Sequence, residues 1–383
     1  MTADIRSRFS DEFTLDDDIL YLNHAAVSPW PRCAHRAVTA FSAENTRVGS
    51  KHYPRWMETE TRLRQRACTL INAPSADDIA LLKNTSEALS VVAFGLPWKR
   101  GDNVVGSDQE FPSNRIVWQA LESRGVEFRA ADLRSAESPE HALFARVDKH
   151  TRLIAVSSIQ FGTGLQLDLQ RIGNFCRERD ILFCVDAIQS IGAVQFDVQA
   201  MHADFAMADG HKWMLGPEGL ALFYCRAELR DRLALHQFGW HMTDAFVDFD
   251  RRDWQPADSA RRFECGSPNM LGIHALDASL SLLLDAGMEN VERAVLENTR
   301  TLFAAIEAAP QLELLTDDTP GRFGGIVSFR HREVDNQALF KRLTDNGVMC
   351  AMRGGGLRFS PHFYTPEEKI LRAVELAATA GVG

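Results

Sequence analysis

The residues best suited to chemistry crowd into one stretch, ILFCVDAIQSIGAVQFDVQAMHADFAMADGHKWMLGPEG, residues 181–219. An apolar run there ends in Asp186, Gln189 follows closely, and Lys212 stands in a Gly-His-Lys-Trp turn ahead of Gly216 and Gly219. A lysine buried in such a turn loses its proton more readily, because desolvation disfavours the ammonium form. The neutral amine can form a Schiff base with a carbonyl. A carboxylate at a neighbouring strand end can hold a pyridinium nitrogen protonated, which keeps a bound ring acting as an electron sink. The same residues also fit a plainer reading, in which Asp186 opens a turn and Lys212 is a solvated loop lysine.

For these groups to meet, the chain must bring several strand ends together. Short apolar, β-branched runs lie at 79–82, 103–106, 126–130, 153–157, 181–186, 205–208 and 219–225. Most are separated by helix-length segments such as 113–123 and 169–179, with apolar residues at i, i+3, i+4. A spacing of roughly two dozen residues suits parallel strands joined by helical crossovers. The last two runs are too close for a helix between them, so that pair is expected to be antiparallel. The fold expected is α/β, a doubly wound and mostly parallel sheet with its ligand crevice at the strands' carboxyl ends. Around 250–268 the pattern breaks into a polar, arginine-rich linker, DRRDWQPADSARRFECGSP. Amphipathic helices at 274–286 and 291–309 follow, then strand-like GGIVSFRH, a helix at 336–346, strand-like VMCAMR and GLRFS, and a closing helix from Glu367. The division expected is a large domain of 15–255 and a smaller α+β domain of 256–383 with 1–14.

Composition narrows the partners. Among 383 residues, 42 Lys+Arg against 52 Asp+Glu leave a net charge of −10, which argues against sequence-independent nucleic-acid binding. No run approaches the roughly 18 apolar residues a membrane span needs. The start, MTADIRSRFSDEF, has no apolar core of a signal peptide. A cytoplasmic protein without membrane contacts is therefore expected. The seven cysteines are odd in number, scattered and without a C-x-x-C pair, so neither a disulfide framework nor a cysteine-paired zinc site is expected, and no metal.

VDAIQS followed by ADGHKW resembles class V of the pyridoxal-phosphate enzymes, fold type I. That family holds cysteine desulfurases, isopenicillin-epimerase-like proteins, kynureninases and several aminotransferases. The resemblance runs from YLNHAAVSP at 21–29 to LRFSPHFYTPEE at 357–368. It implies pyridoxal 5′-phosphate as cofactor and a role for each matching residue. Lys212 matches the Schiff-base lysine that also moves the proton at Cα, and Asp186 the partner of the pyridinium nitrogen. Gln189 and Gln160 (in SSIQFGTG) match residues at the ring hydroxyl edge, and Phe111 (in DQEFPSN) the residue stacked on the ring. Thr85 and Ser86, in KNTSEAL, match the phosphate cup, where backbone N–H groups and a positive helix end favour an anion. His211 matches a histidine that reaches the phosphate. Asp209 stands where many relatives have a phosphate-binding serine, and an ionised carboxylate cannot donate to phosphate. Ser267, in RFECGSPN, matches a residue lent to the partner subunit's cofactor, which implies a homodimer. Arg358 matches the grip on the substrate carboxylate, with Arg353 a second substrate-side arginine and Arg47 a weaker candidate for reaching across the dimer.

Two departures shape the expected reaction. Desulfurases carry a histidine where Phe111 stands, and phenylalanine cannot titrate. Their nucleophilic cysteine rides a mobile loop ahead of the substrate arginine, whereas Cys350 falls in a strand-like alternation a few residues before Arg358. His24, in NHAAVSP, is then the expected general acid near the substrate side chain. The leading expectation is aminotransferase-type chemistry on a small amino acid. A C–S lyase acting by β-elimination is the first alternative, with a desulfurase-like enzyme or an epimerase behind it and a silent pyridoxal-phosphate-binding protein as the non-enzymatic one. Side-chain specificity is expected from pocket shape around His24, Arg353 and Trp240.

Overall fold

The computed structural model describes residues 5–380. Seven strands form the large sheet: β2 (Ile79–Leu82), β3 (Asn103–Ser107), β4 (Glu127–Ala131), β5 (Thr151–Ser157), β6 (Leu182–Asp186), β7 (Phe205–Asp209) and β8 (Ala221–Cys225), after a short β1 (Leu20–Tyr21) that lies apart. Their order is β2-β8-β7-β6-β5-β3-β4, and only β8 runs against its neighbours, as the close spacing of the last two apolar runs predicts. Strands β2, β3, β6, β7 and β8 are buried almost throughout, which is why they read as continuous apolar runs rather than alternations. One face packs on helices that include Tyr53–Leu70, Leu169–Glu178 and Met270–Ala286, the other on Thr85–Gly95 and the helix around Trp118.

The C-terminal part adds β9 (Leu312–Leu314), β10 (Val327–His331), β11 (Val348–Met349), β12 (Ala351–Arg353) and β13 (Gly356–Phe359). β12-β13-β10-β9 form an antiparallel sheet, while β11 pairs in parallel with β1. The apolar cores part later than the expected boundary at 255/256. Met270–Ala286 is apolar around most of its circumference and packs on helices Arg32–Val48 and Tyr53–Leu70, so it joins the large sheet's core. The following helix, Met288–Glu307, is shared. Val291, Ala294 and Val295 enter the large core, whereas Leu302, Phe303 and Ile306 enter the small one with Leu22, Phe329 and Phe359.

Helix Leu169–Glu178 illustrates how closely the layers approach. A Cβ on Gly173 would lie 1.7 Å from the carbonyl oxygen of Met201. In an exposed helix, Gly→Ala gains about 1 kcal/mol. Here the sign reverses: Gly173→Ala is expected to lower stability by about 1–3 kcal/mol through overpacking. Urea unfolding with an unchanged m-value checks this, and a stabilised variant would contradict the packing described.

Candidate active site

The carboxyl ends of the strands release the chemistry-bearing groups on one side of the sheet. β6 ends in Asp186, β7 in Asp209, and the β7–β8 connection carries His211 and Lys212. This connection folds on itself, with Gly216 N donating to Gly210 O at 2.8 Å and Leu215, at φ +60°, donating to Lys212 O at 3.0 Å. The segment after β1 braces it from outside: Ser28 N donates to His211 O at 2.7 Å and Ser28 Oγ to Lys212 O at 2.5 Å. The backbone is thereby satisfied and the amine of Lys212 left free.

Lys212 is buried, and its amine is pushed down to about 8. Burial is the main cause; Arg358 and Arg353 add to it, while Asp186 and Asp209 oppose it. Burial likewise pushes Asp186 up to about 6, against the Ile188 N–H at 3.1 Å and the charge of Lys212. Nζ of Lys212 lies 5.6 Å from the centroid of Phe111, which is 39% exposed and meets Phe161 edge-on at 5.1 Å. Thr85 and Ser86 open a helix capped by Asn84, which accepts from Glu87 N at 2.9 Å. Ser86 Oγ donates to Ser113 Oγ at 2.8 Å, and Thr85 N to Asp209 Oδ2 at 3.3 Å. Arg358, on β13, is buried with no acidic partner among the described residues; Nη1 donates to Phe161 O at 2.8 Å. Burial first, then the charge of Arg353, pushes its guanidinium down to about 10, with Cys350 opposing. Arg353 is exposed and donates to Met352 O at 2.8 Å.

Buried polar groups are normally hydrogen-bonded. Thr85 Oγ1, Gln160 Oε1, Asp209 Oδ1, His211 Nδ1 and Arg358 Nε are buried without a hydrogen-bond partner. Asp209 and Arg358 act on Lys212 by charge, His211 precedes it in the chain and faces Asp209, and Thr85 and Gln160 are bonded to Asp209 and Glu110. Unpaired donors and acceptors around a buried amine, beside an open aromatic face, fit a flat, polar, anionic ligand such as pyridoxal 5′-phosphate.

Several expected roles are not what the structure builds. His24 is fully buried, its Nδ1 at 2.8 Å from Ser360 O and its Nε2 at 2.7 Å from Tyr364 Oη. Burial and the neighbouring His362 push its imidazole well below the usual range. With both nitrogens committed, it is a structural brace and not a general acid. Gln189 is also committed, Nε2 donating to Ala25 O at 3.1 Å and Oε1 accepting from Trp213 Nε1 at 2.8 Å, so it anchors the lysine turn and the N-terminal segment. Ser267 and Arg47 are exposed, as roles toward a second copy would require, and Trp240 packs into an aromatic loop with Phe246 and Phe249. Conversely, Glu110 is a residue the sequence reading passed over. It accepts from Ser157 N at 2.9 Å, Ser157 Oγ at 2.5 Å, Asn114 at 2.8 Å and Gln160 at 3.4 Å. Burial pushes it up to about 7, although these bonds oppose the rise. Its only sequence signal is its place directly before Phe111, and glutamate is seldom buried. Glu60, His241 and Glu264 come close enough for a metal, but Arg64 fills the space, donating to Glu264 at 2.8 Å and to Glu60.

The strand order and the buried lysine facing a strand-end aspartate define a pyridoxal-phosphate enzyme of fold type I. The profile of the class-V aminotransferases matches residues 20–372, and the chain belongs to that family, whose cofactor is pyridoxal 5′-phosphate. A probable cysteine desulfurase of Methanothermobacter thermautotrophicus is 32% identical, with 100% of this chain and 99% of that protein aligned. An uncharacterized aminotransferase of Bacillus subtilis, YcbU, is 29% identical over 79% of each. Among solved structures, the cystine C–S lyase C-DES in complex with cysteine persulfide superposes with a TM-score of 0.88 at 23% identity, covering 94% of this chain and 98% of the other. The cysteine desulfurase CsdA of Escherichia coli gives 0.87 at 21% identity, covering 98% of each.

The lowered Lys212 amine has a measurable consequence. Below about 8 it is ammonium and above about 8 free amine. With pyridoxal, which lacks the phosphate, the initial rate of imine formation should climb as pH passes through about 8 and then level. Lys212→Ala should retain only the background of surface lysines, which rises toward pH ~10.4. Identical pH profiles for the two proteins would refute a specially lowered Lys212.

Proposed function

We propose that this enzyme is a C–S lyase, cleaving the Cβ–S bond of a cysteine-derived amino acid by β-elimination without a cysteine of its own. The observation that carries the reading is the state of Cys350. It is buried between β11 and β12, and burial pushes its thiol up to about 12, far from the exposed thiolate that must attack a substrate sulfur. The turn that follows leaves little freedom: a Cβ on Gly354, at φ +62°, would lie 2.1 Å from Gly162 O. The relative 32% identical over the whole chain carries the name of a probable cysteine desulfurase, which favours a sulfur-containing substrate. Transamination, the leading expectation from sequence, has the family's name and that of the Bacillus relative behind it.

Bound pyridoxal 5′-phosphate supplies the electron sink for the pair left at Cα. Asp186 would hold its ring nitrogen, Phe111 cover a ring face, and Gln160 serve the oxygen edge. Thr85, Ser86 and His211 would hold the phosphate. Arg358, buried and lacking an anion, receives the substrate carboxylate through its planar fork. Lys212 Nζ takes the Cα proton, the β sulfur departs with its bonding pair, and water converts the three-carbon remainder to pyruvate and ammonia. A homodimer suits exposed Ser267, which is free to serve a second copy, and a reducing cytoplasm suits seven unpaired thiols.

Incubation with cysteine and cystine should release pyruvate together with sulfide or a persulfide. Cys350→Ser should keep turnover within a few-fold of wild type, as for a thiol outside the chemistry. A persulfide trapped on Cys350, with activity lost in the variant, would place the chain with the desulfurases. Accumulation of pyridoxamine 5′-phosphate with keto-acid turnover would restore transamination.

A further inference from the structure

The phosphate cup contains a carboxylate of its own. Asp209 ends β7 with its carboxylate buried at the start of helix Thr85–Gly95. Oδ2 takes the Thr85 N–H at 3.3 Å, a backbone donor that an incoming anion would need. Oδ1 has no hydrogen-bond partner and faces His211 Nδ1 at 3.5 Å, also unpaired. Beside them Thr85 Oγ1 is buried and unpaired. The cup thus offers an anion donors that a carboxylate already occupies or faces.

The charges around Asp209 do not cancel this conflict. From β6 comes another carboxylate, Asp186, and from its own turn come His211 and Lys212. On the helix, Glu87 turns away, accepting from Lys83 N at 2.6 Å and Gln237 at 3.1 Å. On β8 the residue paired with Asp209 is Ala221. Lys212 is a cation whose charge acts on Asp209 from the same turn, and it is shared with Asp186. A phosphate dianion and an ionised carboxylate brought together out of water repel strongly.

We propose that Asp209 makes cofactor binding proton-linked: the phosphate enters the cup together with one proton from solvent, held between its oxygens and the Asp209–His211 pair. With that proton Asp209 becomes a donor to phosphate instead of a competitor, or His211 becomes the cation that bridges them. The inference rests on the reading that Thr85, Ser86 and His211 hold the phosphate. It assigns Asp209 the part of a residue that sets cofactor affinity, and binding should weaken by about tenfold per pH unit where the uptake is complete.

The test uses the full chain stripped of cofactor and titrated calorimetrically with pyridoxine 5′-phosphate, which forms no imine. Two buffers of different ionisation heat at pH 8 give the protons taken up, because the free phosphate is largely dianionic there (second pKa about 6). Wild type should take up about one proton more than Asp209→Asn or Asp209→Ser, and both variants should bind with a flatter pH dependence. Asp209→Ser keeps a hydroxyl donor in the cup and serves if the asparagine variant unfolds. Equal uptake by wild type and either folded variant would overturn the role of Asp209. Pyridoxine without phosphate binding as tightly as its phosphate would overturn the cup itself, and the linkage with it.

Discussion

An amine and a carboxylate are kept out of water within reach of each other, Lys212 on one turn and Asp186 on the neighbouring strand end, and much of the architecture serves that arrangement. Isolated, either charge would be costly to bury. The sheet makes it tolerable by setting Asp186 at the end of β6, where Ile188 N–H meets one oxygen, and by placing Lys212 on the next connection. The amine is not tethered by its own side chain. It is placed through backbone carbonyls that Ser28 grips from outside, and through Trp213, whose indole is held by Gln189 and whose carbonyl lies 3.0 Å from His362 Nε2. Positioning a nucleophile by its main chain leaves its nitrogen available, which a Schiff-base lysine requires.

The electrostatics follow from the same choice. Arg358 and Arg353 approach from the small sheet, and their charge joins burial in lowering Lys212. The arginine suited to a substrate carboxylate therefore also helps to keep the lysine amine deprotonatable. Desolvated Asp186 would be met by a protonated ring nitrogen, turning an unfavourable burial into a charge pair. Glu110 stands behind Phe111 and Gln160, fixing the end of β5 through Ser157.

The large sheet was legible because its strands are buried on both faces: the run at 79–82 matches β2, and the other six fall within two residues of observed strands. Helix Met270–Ala286 begins before the 274 expected, since Asn269 caps it by accepting from Gly272 N at 3.0 Å and the apolar pattern alone does not mark that start. Lys212, Asp186, Phe111 and Arg358, named from separated motifs, are gathered on one side of the sheet, with Phe111 under the Lys212 amine and Arg358 acting on it by charge. His24 was misread because sequence shows a titratable ring but not what its nitrogens touch. Its partners, Ser360 and Tyr364, lie at the far end of the chain. Glu110 went unnoticed for the matching reason: of its partners, Ser157 and Gln160 are brought to it only by the fold, and Asn114 four residues on gives no sign of it. The arginine-rich stretch reads as a linker, while Phe263 within it is buried in the large core.

The pairing of β1 with β11 bears on how the protein matures. Leu20 and Tyr21 lie beside Val348 and Met349, and Asn23 bridges to Ser360, so the segment that ends in Ser28 is aligned by residues from the last tenth of the chain. During synthesis the lysine turn emerges long before that partner does. Its brace can be completed only after the C-terminal sheet has formed, so a nascent chain holds β7 and β8 without a finished lysine turn. The brace on the lysine turn is thus tied to strands that emerge last, so the turn reaches its final form only when the C-terminal sheet is in place.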